Sequence, residues 1–344
     1  MSFWQRLGTP IFALAPMADV TDPAFRRIIA THSKSDPASA GTRVPYVTWT
    51  EFISADGLAL APEEGRAKLM ADLAFNEIER PIVAQFFTAT PLHMERAAAL
   101  ARELGFDGVD INMGCPDKSI ERQGAGAAHM RNPSLAQEVI AAAKQGARDV
   151  PVSVKTRLGY NKDELEEWLP KVLAAKPAAI TVHARTRKEL SLVPARWERV
   201  KRAVEIRNEI LGDASHETRI LGNGDLMHVR DAMDKIAATG ADGAMLGRAI
   251  FGNPWLFAAP DPFRERLTLE KRFTVMVEHT KLYEELLPHK SFAIMRKHYK
   301  AYVSGFDGAA DLRANLMLAD SALEVRERVN AWLAAHPELA RQVL

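Results

Sequence analysis

The side chain with the most distinctive chemistry in this sequence is the thiol of Cys115, the only cysteine among 344 residues. An unperturbed thiol has a pKa near ~8.5, so it is largely protonated at neutral pH and can donate a proton to a substrate. Free cysteines are more often inert core residues, and that interpretation stays open. Gly114, Pro116 and the glycine-rich segment that follows them favour a loop with an accessible thiol.

Two short motifs with glycine are typical of phosphate binding. They are Asn223-Gly224-Asp225 and Gly247-Arg248. A ligand can approach a glycine amide closely, and an arginine adds a planar cation that suits a phosphate ester. A simple turn explains either motif alone, but the two together favour a phosphate site.

Lys155 and Gln85 supply a different chemistry, because each is a polar residue at the end of an apolar run. A cation stabilises the anionic reduced form of a flavin ring, and an amide can both donate and accept hydrogen bonds at the pyrimidine edge of that ring. Next to a phosphate site, these are the groups that flavin mononucleotide (FMN) requires.

The elements that must position these residues follow from the periodicity of the chain. Eight short apolar, β-rich runs alternate with Ala-, Leu-, Glu- and Lys-rich helical segments, such as 92–104, 134–147, 164–175 and 229–238. The runs cover 11–16, 45–49, 81–86, 108–113, 151–156, 178–184, 219–223 and 242–247. This alternation predicts an α/β fold, a (β/α)8 TIM barrel. A doubly wound sheet is the competing architecture, but no G-x-G-x-x-G turn follows the first run.

In a TIM barrel, chemistry takes place at the carboxyl ends of the strands, and the polar residues of this sequence fall there. Any one of them is more often a surface or capping residue. Their joint placement on one rim favours a binding site, because the stability of a barrel does not need it. The residues at the predicted strand ends are Pro16, Met17, Ala18, Gln85, Asn112, Cys115, Lys155, Arg157, His183, Arg185, Asn223, Gly224, Asp225, Gly247 and Arg248.

Composition narrows the class of protein further. The chain has 47% apolar and 26% charged residues, which is typical of a globular protein with a full core. One cysteine excludes an internal disulfide and no Cys/His cluster has zinc spacing, so we expect a reducing compartment, the cytoplasm, and no metal. The apolar run 11–18 is too short to span a bilayer, and no membrane association is expected.

The remainder of the chain predicts a smaller C-terminal helical domain. After Pro254 the strand signals stop, and helical patterns cover 269–287, 292–303 and 312–333. We therefore expect a barrel domain at 1–258 and a helical domain at 259–344, with a polar loop at 31–44 inside the barrel domain. Because the formal net charge is only +1, any nucleic-acid partner must bind a local basic cluster.

Residues 289–303 form such a cluster. Lys290, Arg296, Lys297 and Lys300 occur there without an acidic residue, interleaved with the rings of Phe292, Tyr299 and Tyr302. The segment is consistent with a helix that binds RNA phosphates and stacks bases, and equally with a solvated helix face.

Several motifs together resemble the dihydrouridine synthases. They are APMADVTDPAFRR (15–27), DINMGCPDKSIERQGAGAAHM (110–130), VKTRLGY (154–160), HARTR (183–187), NGD (223–225) and LGRAIFGNPWLF (246–257). The motifs are collinear and cover the whole predicted barrel. Residues 189–197, after HARTR, differ from the aromatic and glycine that many relatives have there.

The resemblance implies an activity and a set of roles. Family members bind FMN at the barrel mouth, take hydride from NADPH and reduce a flipped-out uridine of tRNA. Cys115 would be the catalytic proton donor. Asn112 and Arg157 would contact the uracil edge, with Arg185 nearby, and the helical domain with Lys297 and Lys300 would bind tRNA. The FMN site would comprise Pro16, Met17, Ala18, Gln85, Lys155, His183, Asn223, Gly224, Asp225, Gly247 and Arg248.

Two other functions are consistent with the residues. One is an FMN-dependent barrel oxidoreductase that acts on a small molecule, which would reduce free pyrimidines or enones. The other is an RNA-binding module with a vestigial flavin site, which the presence of Lys155, Cys115 and both phosphate motifs disfavours. We expect the protein to act as a monomer.

Overall fold

A closed barrel of parallel strands forms the centre of the protein, as the sequence predicts. The computed structural model describes residues 3–35, 44–258, 267–341 and 343. In this part of the chain eight strands pair in sequence order, and β8 pairs with β1 to close the barrel. The strands are β1 (Ile11–Leu14), β2 (Tyr46–Ser54), β3 (Ile82–Phe87), β4 (Gly108–Met113), β5 (Val152–Arg157), β6 (Ala179–His183), β7 (Arg219–Asn223) and β8 (Gly243–Leu246).

Gly243 makes the closing contact possible. It pairs with Ile11 at the start of β1, and a Cβ atom at position 243 would lie 2.2 Å from the backbone oxygen of Ile11. No side chain fits at that distance, so the approach of β8 to β1 requires glycine. The register continues to the pair of Leu14 with Leu246.

Helices connect the strands and form the C-terminal part of the chain. The helices are α1 (Phe3–Arg6), α2 (Pro23–Ala30), α3 (Ala55–Leu60), α4 (Glu63–Asp72), α5 (Pro91–Glu103), α6 (Lys118–Arg122), α7 (Pro133–Ala147), α8 (Leu165–Ala174), α9 (Trp197–Leu211), α10 (Val229–Thr239), α11 (Leu269–Leu286), α12 (Arg296–Tyr302), α13 (Ala309–Leu316), α14 (Ala322–Ala335) and α15 (Pro337–Ala340). Short 3-10 helices cover Glu77–Glu79, Gly126–Arg131, Gly212–Glu217, Arg248–Ile250 and Phe292–Met295, and Thr31–Ser35 is a π-helix.

Aromatic side chains close the amino-terminal end of the barrel. The ring of Phe3 lies against Gly108, the first residue of β4, and Trp4 packs on Trp49 of β2 with ring centroids 5.8 Å apart. Both α1 side chains belong to the buried cluster that fills the barrel. Apolar side chains therefore fill the interior of the barrel at this end.

The chain divides into two compact units. The first comprises Met1–Ala18, Tyr46–Leu73 and Arg80–Gly247, and the second comprises Asp19–Pro45, Ala74–Glu79 and Arg248–Leu344. The second unit has its own core, which includes Phe273, Tyr299 and Tyr302. Residues 31–35 of the predicted loop 31–44 are not a loop, because they continue α2 as a π-helix. Residues 36–43 of that loop and the start of the predicted helical domain, 259–266, lie outside the described residues.

Two expectations for the C-terminal region are wrong. The pattern 312–333 is not one helix, because α13 ends at Leu316 and α14 begins at Ala322. The rings of Tyr299 and Tyr302 do not face solvent for base stacking: both are 0% exposed and pack in the core of the second unit. The two tyrosines are three residues apart, which places them on the same face of α12, and that face packs in the core. None of the helices in 3–35, 44–258 and 267–341 is both long and apolar enough to cross a membrane.

Two histidines lie in the core of the second unit. The rings of His279 and His298 are 4.8 Å apart, and both pack against the ring of Phe25. Their ring nitrogens are buried without a hydrogen-bond partner among the described residues. Burial lowers the pKa of His279 to about 3 and that of His298 well below 6.5, so both rings are neutral in the folded protein.

We predict that this histidine pair makes folding stability depend on acid pH. The unfolded histidines have a pKa of about 6.5 and take up protons below it, whereas the folded ones do not. The free energy of unfolding is therefore largest above about pH 6.5 and falls as the pH is lowered, by up to about 1.4 kcal/mol per pH unit for each histidine. Denaturant titrations at several pH values between 7 and 4 measure this loss.

The variant His279→Phe should lose less stability with acid than the wild type, whereas the exposed His216→Phe should behave like the wild type. An identical pH dependence for His279→Phe and the wild type would contradict the assignment.

Candidate active site

A buried carboxylate in β4 links this strand to β3 and β5 through side-chain hydrogen bonds. Asp110 is 1% exposed and accepts hydrogen bonds from the Nε2 atom of Gln85 at 2.6 Å and from the hydroxyl of Ser153 at 2.5 Å. Burial raises the pKa of Asp110 to about 6, and these two hydrogen bonds and the charge of Lys155 oppose that rise. Asp110 therefore fixes the orientation of the Gln85 amide.

Asn112 connects Gln85 to the cysteine loop. Its Nδ2 atom donates to Gln85 Oε1 at 3.3 Å, and its Oδ1 atom accepts from the backbone N–H groups of Gly114 at 3.1 Å and Cys115 at 2.9 Å. One side chain thus sets both the turn after β4 and the position of the cysteine backbone.

Cys115 lies half-buried on this loop, against an apolar cluster that contains Phe87 and Ile120. The 3-10 helix Gly126–Arg131 packs on the loop, because Ala127 N–H donates to Cys115 O and a Cβ atom at Gly126 (φ +61°) would lie 2.9 Å from that oxygen. Burial raises the pKa of the Cys115 thiol, and the positive charges of Arg157 and Lys155 oppose the rise. The group is therefore a protonated thiol at neutral pH.

Arg157, at the end of β5, joins the loops after β4 and β6 through three backbone oxygens. Its Nε atom donates to Gly114 O at 2.8 Å, and its Nη1 atom donates to Thr186 O at 3.2 Å and Leu190 O at 3.0 Å. These bonds use three of the five guanidinium N–H donors. The two donors on Nη2 have no partner among the described residues.

Lys155 and Asn223 lie together at the carboxyl ends of β5 and β7. The Nζ atom of Lys155 donates to Asn223 Oδ1 at 3.2 Å, and Asn223 Nδ2 donates to Met245 O at 2.8 Å. Burial, followed by the charge of Arg157, lowers the pKa of Lys155 to about 8, and the charge of Asp110 opposes that change. The structure thus brings together four of the predicted site residues, Gln85, Asn112, Lys155 and Asn223, in two hydrogen-bonded groups.

The ends of β6 and β7 are joined by an ion pair. Arg185 pairs with Asp225, and its Nη1 atom lies 3.3 Å from His183 Nε2. Asp225 has a φ of +52° and also accepts from Ala195 N–H at 2.8 Å. Gly224 needs its glycine, because a Cβ atom there would lie 2.8 Å from the side chain of Ala195. The carboxylate of Asp225 is thus engaged in holding the loop 189–197.

The remaining predicted cofactor residues follow β1 and β8. Pro16 and Met17 are half-buried and Ala18 is exposed. A Cβ atom at Gly247 would lie 3.7 Å from Met17 Sδ, which brings the loops after the two strands together. Arg248 is exposed and begins a 3-10 helix of the second unit. In that unit Lys300 is exposed and Lys297 half-buried on α12.

Sequence reasoning gave no role to two residues that hold the site. Asp110 is the first residue of the motif 110–130. A charged residue inside an apolar strand is the signal that could have identified it, because a buried charge needs hydrogen-bond partners. Trp197 donates from Nε1 to Gly224 O at 2.9 Å and fills the space beside Gly222, where a Cβ atom would lie 2.2 Å from its ring. No local pattern reports this contact, because it joins α9 to β7.

A closed (β/α)8 barrel with hydrogen-bonded polar groups and a thiol at the carboxyl ends of its strands defines a TIM-barrel enzyme. The sequence model described as "Dihydrouridine synthase (Dus)" matches residues 13–336. The chain therefore belongs to the dihydrouridine synthase family.

Individual relatives match over almost their full length. A probable tRNA-dihydrouridine synthase of Staphylococcus aureus (strain MRSA252) is 34% identical over 98% of this chain and 97% of its own. The probable tRNA-dihydrouridine synthase 2 of Bacillus subtilis (strain 168) is 36% identical over 94% of both chains. The solved structure of histamine dehydrogenase from Rhizobium sp. 4-9 is similar in fold alone, with a TM-score of 0.50 and 12% identity over 79% of this chain and 48% of that one. This chain thus spans about half the length of that dehydrogenase.

We predict that Asn112→Ala loosens the cysteine loop, because the backbone N–H groups of Gly114 and Cys115 lose their acceptor. Such a loss costs about 1–3 kcal/mol for each group that stays buried. Since Cys115 is the only cysteine, the rate of alkylation by iodoacetamide reports on this loop alone, and it should rise severalfold. The matched control is Asn76→Ala, which removes a side-chain acceptor from a turn of the second unit and should leave the alkylation rate unchanged. Equal alkylation rates in Asn112→Ala and the wild type would contradict the role of Asn112.

Proposed function

We propose that this protein reduces uridines in tRNA to 5,6-dihydrouridine, with FMN as cofactor and NADPH as reductant. The observation that carries the proposal is the protonated thiol of Cys115, on a loop tied by Asn112 to the Gln85 group at the carboxyl end of the barrel. Family membership and the names of the relatives support the substrate.

The chemistry of the donor set at the barrel mouth fits FMN. Gln85 gives one amide N–H to Asp110 and accepts from Asn112, so its second N–H is left to donate to a ring oxygen. Lys155 supplies a cation that can stabilise negative charge on the ring. Pro16, Met17, Ala18 and His183 would contact the ring. Asn223, Gly224, Asp225, Gly247 and Arg248 would hold the ribityl phosphate.

When bound, FMN supplies the hydride that C6 of the uracil must accept. C5 must then receive a proton, and Cys115 is the residue assigned to donate it. Its raised pKa keeps the proton on sulfur at neutral pH until the base is in place. The positive charges of Arg157 and Lys155 stabilise the thiolate that remains. Solvent would return the proton between turnovers.

The uracil would be oriented by N–H donors of Arg157 and Asn112 that do not take part in holding the loops. Arg157 keeps two N–H donors on Nη2 after its three bonds to backbone oxygens, and Asn112 keeps one amide N–H. Both suit the carbonyl oxygens of a pyrimidine. Arg185 is bound to Val193 O, His183 and Asp225, so we assign it mainly to positioning the loop 189–197 on the substrate side.

The target base must leave the RNA stack to reach the barrel, which costs a few kcal/mol that backbone contacts must offset. We propose that residues 259–344 form the tRNA-binding domain, with Lys297 and Lys300 contacting phosphates, and residues 1–258 the catalytic domain. Tyr299 and Tyr302 are buried in the core and cannot contact RNA, so the lysines are the RNA contacts that we still propose on α12. We further propose that the protein acts as a monomer in the cytoplasm.

The variant Cys115→Ala tests the catalytic assignment. We expect it to bind FMN and to be reduced by NADPH at the wild-type rate, because the thiol takes part in neither step. Dihydrouridine formation should fall by at least about 100-fold, which is the typical contribution of a positioned general acid. The substrate is unmodified tRNA from a strain that lacks the enzyme. Nucleoside mass spectrometry of this tRNA after reaction with the purified protein measures the dihydrouridine formed. Undiminished product at neutral pH would refute the role of the thiol.

Charge reversal on α12 tests the RNA assignment. Lys297→Glu with Lys300→Glu should weaken tRNA binding and flatten its dependence on salt, because fewer counterions are released. Lys271→Glu with Lys281→Glu, two exposed lysines of α11 in the same unit, is the control with the same change in overall charge. A salt slope that is the same in the double variant and the control would place the RNA surface elsewhere.

A further inference from the structure

A small basic pocket lies on the outside of the barrel, among α3, α4 and α5. Its volume is about 180 Å³. The residues that line it are Ala55, Leu58, Ala59, Arg66, His93, Arg96, Ala97 and Leu100. Three of them are basic and none is acidic, whereas the apolar residues form its wall. None belongs to the site at the barrel mouth.

The two arginines of this pocket differ from other arginines near them. Arg80 pairs with Asp107, and Arg102 donates to Gly146 O at 2.8 Å. Arg66 and Arg96 are exposed, and neither guanidinium has a hydrogen-bond or ion-pair partner among the residues that the structure describes. Their charges come from two helices, α4 and α5, and meet at one cavity that no acidic residue lines.

His93 is held in a fixed orientation beside them. Its Nδ1 atom lies 2.6 Å from Asp56 Oδ1, and the same oxygen accepts from the hydroxyl of Thr88 at 2.7 Å. The ring is largely buried, with 14% of its side chain exposed. Because Nδ1 is bound to Asp56, Nε2 is the ring nitrogen left to contact a ligand.

The size and charge of the pocket indicate the chemistry of its ligand. Two guanidinium groups and an imidazole on one cavity suit a phosphate group. Pockets that hold whole cofactors or drug-sized molecules have volumes of roughly 300–1,000 Å³, so this one is too small for a nucleotide. A single phosphate with its ester oxygens is the matching size.

The position of the pocket indicates the source of that phosphate. Asp56 lies in the first turn of α3, directly after β2, and His93 lies in the first turn of α5, shortly after β3. Both therefore lie at the carboxyl end of the barrel, as does Cys115 after β4. A polyanion bound at that end can extend onto the outer face of α5.

We propose that Arg66, His93 and Arg96 bind one backbone phosphate of the RNA substrate, at a distance from the uridine that is reduced. This inference rests on the proposed function, since it takes RNA as the substrate. The pocket supplies an anchor on the barrel itself, in addition to the basic residues of α12. It helps to offset the cost of extruding the target base.

The test is the salt dependence of tRNA binding by Arg66→Ala with Arg96→Ala. The probe is an unmodified tRNA transcript, titrated at several KCl concentrations. The double variant should bind about fivefold more weakly at low salt, and its slope of log affinity against log salt should be shallower by about one, as for the loss of one phosphate contact. Lys201→Ala, an exposed lysine of α9, should match the wild type, and Arg66→Lys with Arg96→Lys should restore most of the slope. Unchanged affinity and slope in the alanine variant would overturn the proposal.

Two further measurements separate the alternatives. The 2′-phosphate of NADPH is another source of the same chemistry, so the KM for NADPH in flavin reduction is measured without RNA. An unchanged KM supports the RNA assignment, and a raised KM with unchanged tRNA affinity overturns it. Dihydrouridine formation by the wild type is measured independently. If the wild type binds tRNA with the pocket-dependent slope but forms no dihydrouridine, the proposed function fails and the phosphate pocket stands.

Discussion

The parallel pairing of β8 with β1 is the constraint on which the rest of the molecule depends. Closing the barrel brings a backbone oxygen of Ile11 to within 2.2 Å of where a Cβ atom of residue 243 would be, and only glycine allows it. Once the barrel is closed, all eight strands point the same way and their carboxyl ends share one rim. Residues that are far apart in sequence, such as Lys155 and Asn223, therefore come within hydrogen-bonding distance.

Buried polar groups in the barrel cost folding free energy, but they fix the orientation of neighbouring side chains. Asp110 lies in a nearly water-free environment that disfavours its charge, and it is tolerated because Gln85 and Ser153 donate to both of its oxygens. Its partner Gln85 is then fixed for Asn112, which in turn fixes the cysteine loop. Arg157 and Arg185 repeat this arrangement between neighbouring loops. The loops at the carboxyl ends of the strands are consequently held together by side chains.

Much of the barrel was predictable from local patterns, and parts of the second unit were not. All eight predicted strands form, within a few residues of their expected limits, because an apolar run between turn residues reports directly on burial. Tyr299 and Tyr302 were expected to be surface rings because Arg296, Lys297 and Lys300 are close to them in the sequence. The residues that bury the two rings lie on other helices. The helix expected over 312–333 is interrupted for a similar reason. Its apolar periodicity continues across Met317–Ser321, where the chain turns so that α13 and α14 can pack on the same core.

The sequence by itself determined the order of elements, the barrel class, the family motifs and the residue types available for chemistry, because these depend on neighbours along the chain. Tertiary structure alone decided which of those residues act together. The links from Asp110 to Gln85, from Lys155 to Asn223 and from Arg185 to Asp225 join different strands or the loops that follow them. Arg66 and Arg96 likewise come from different helices, α4 and α5, and line one pocket. Hydrogen bonds and charge effects act over a few ångströms in space, whereas sequence patterns report only separation along the backbone.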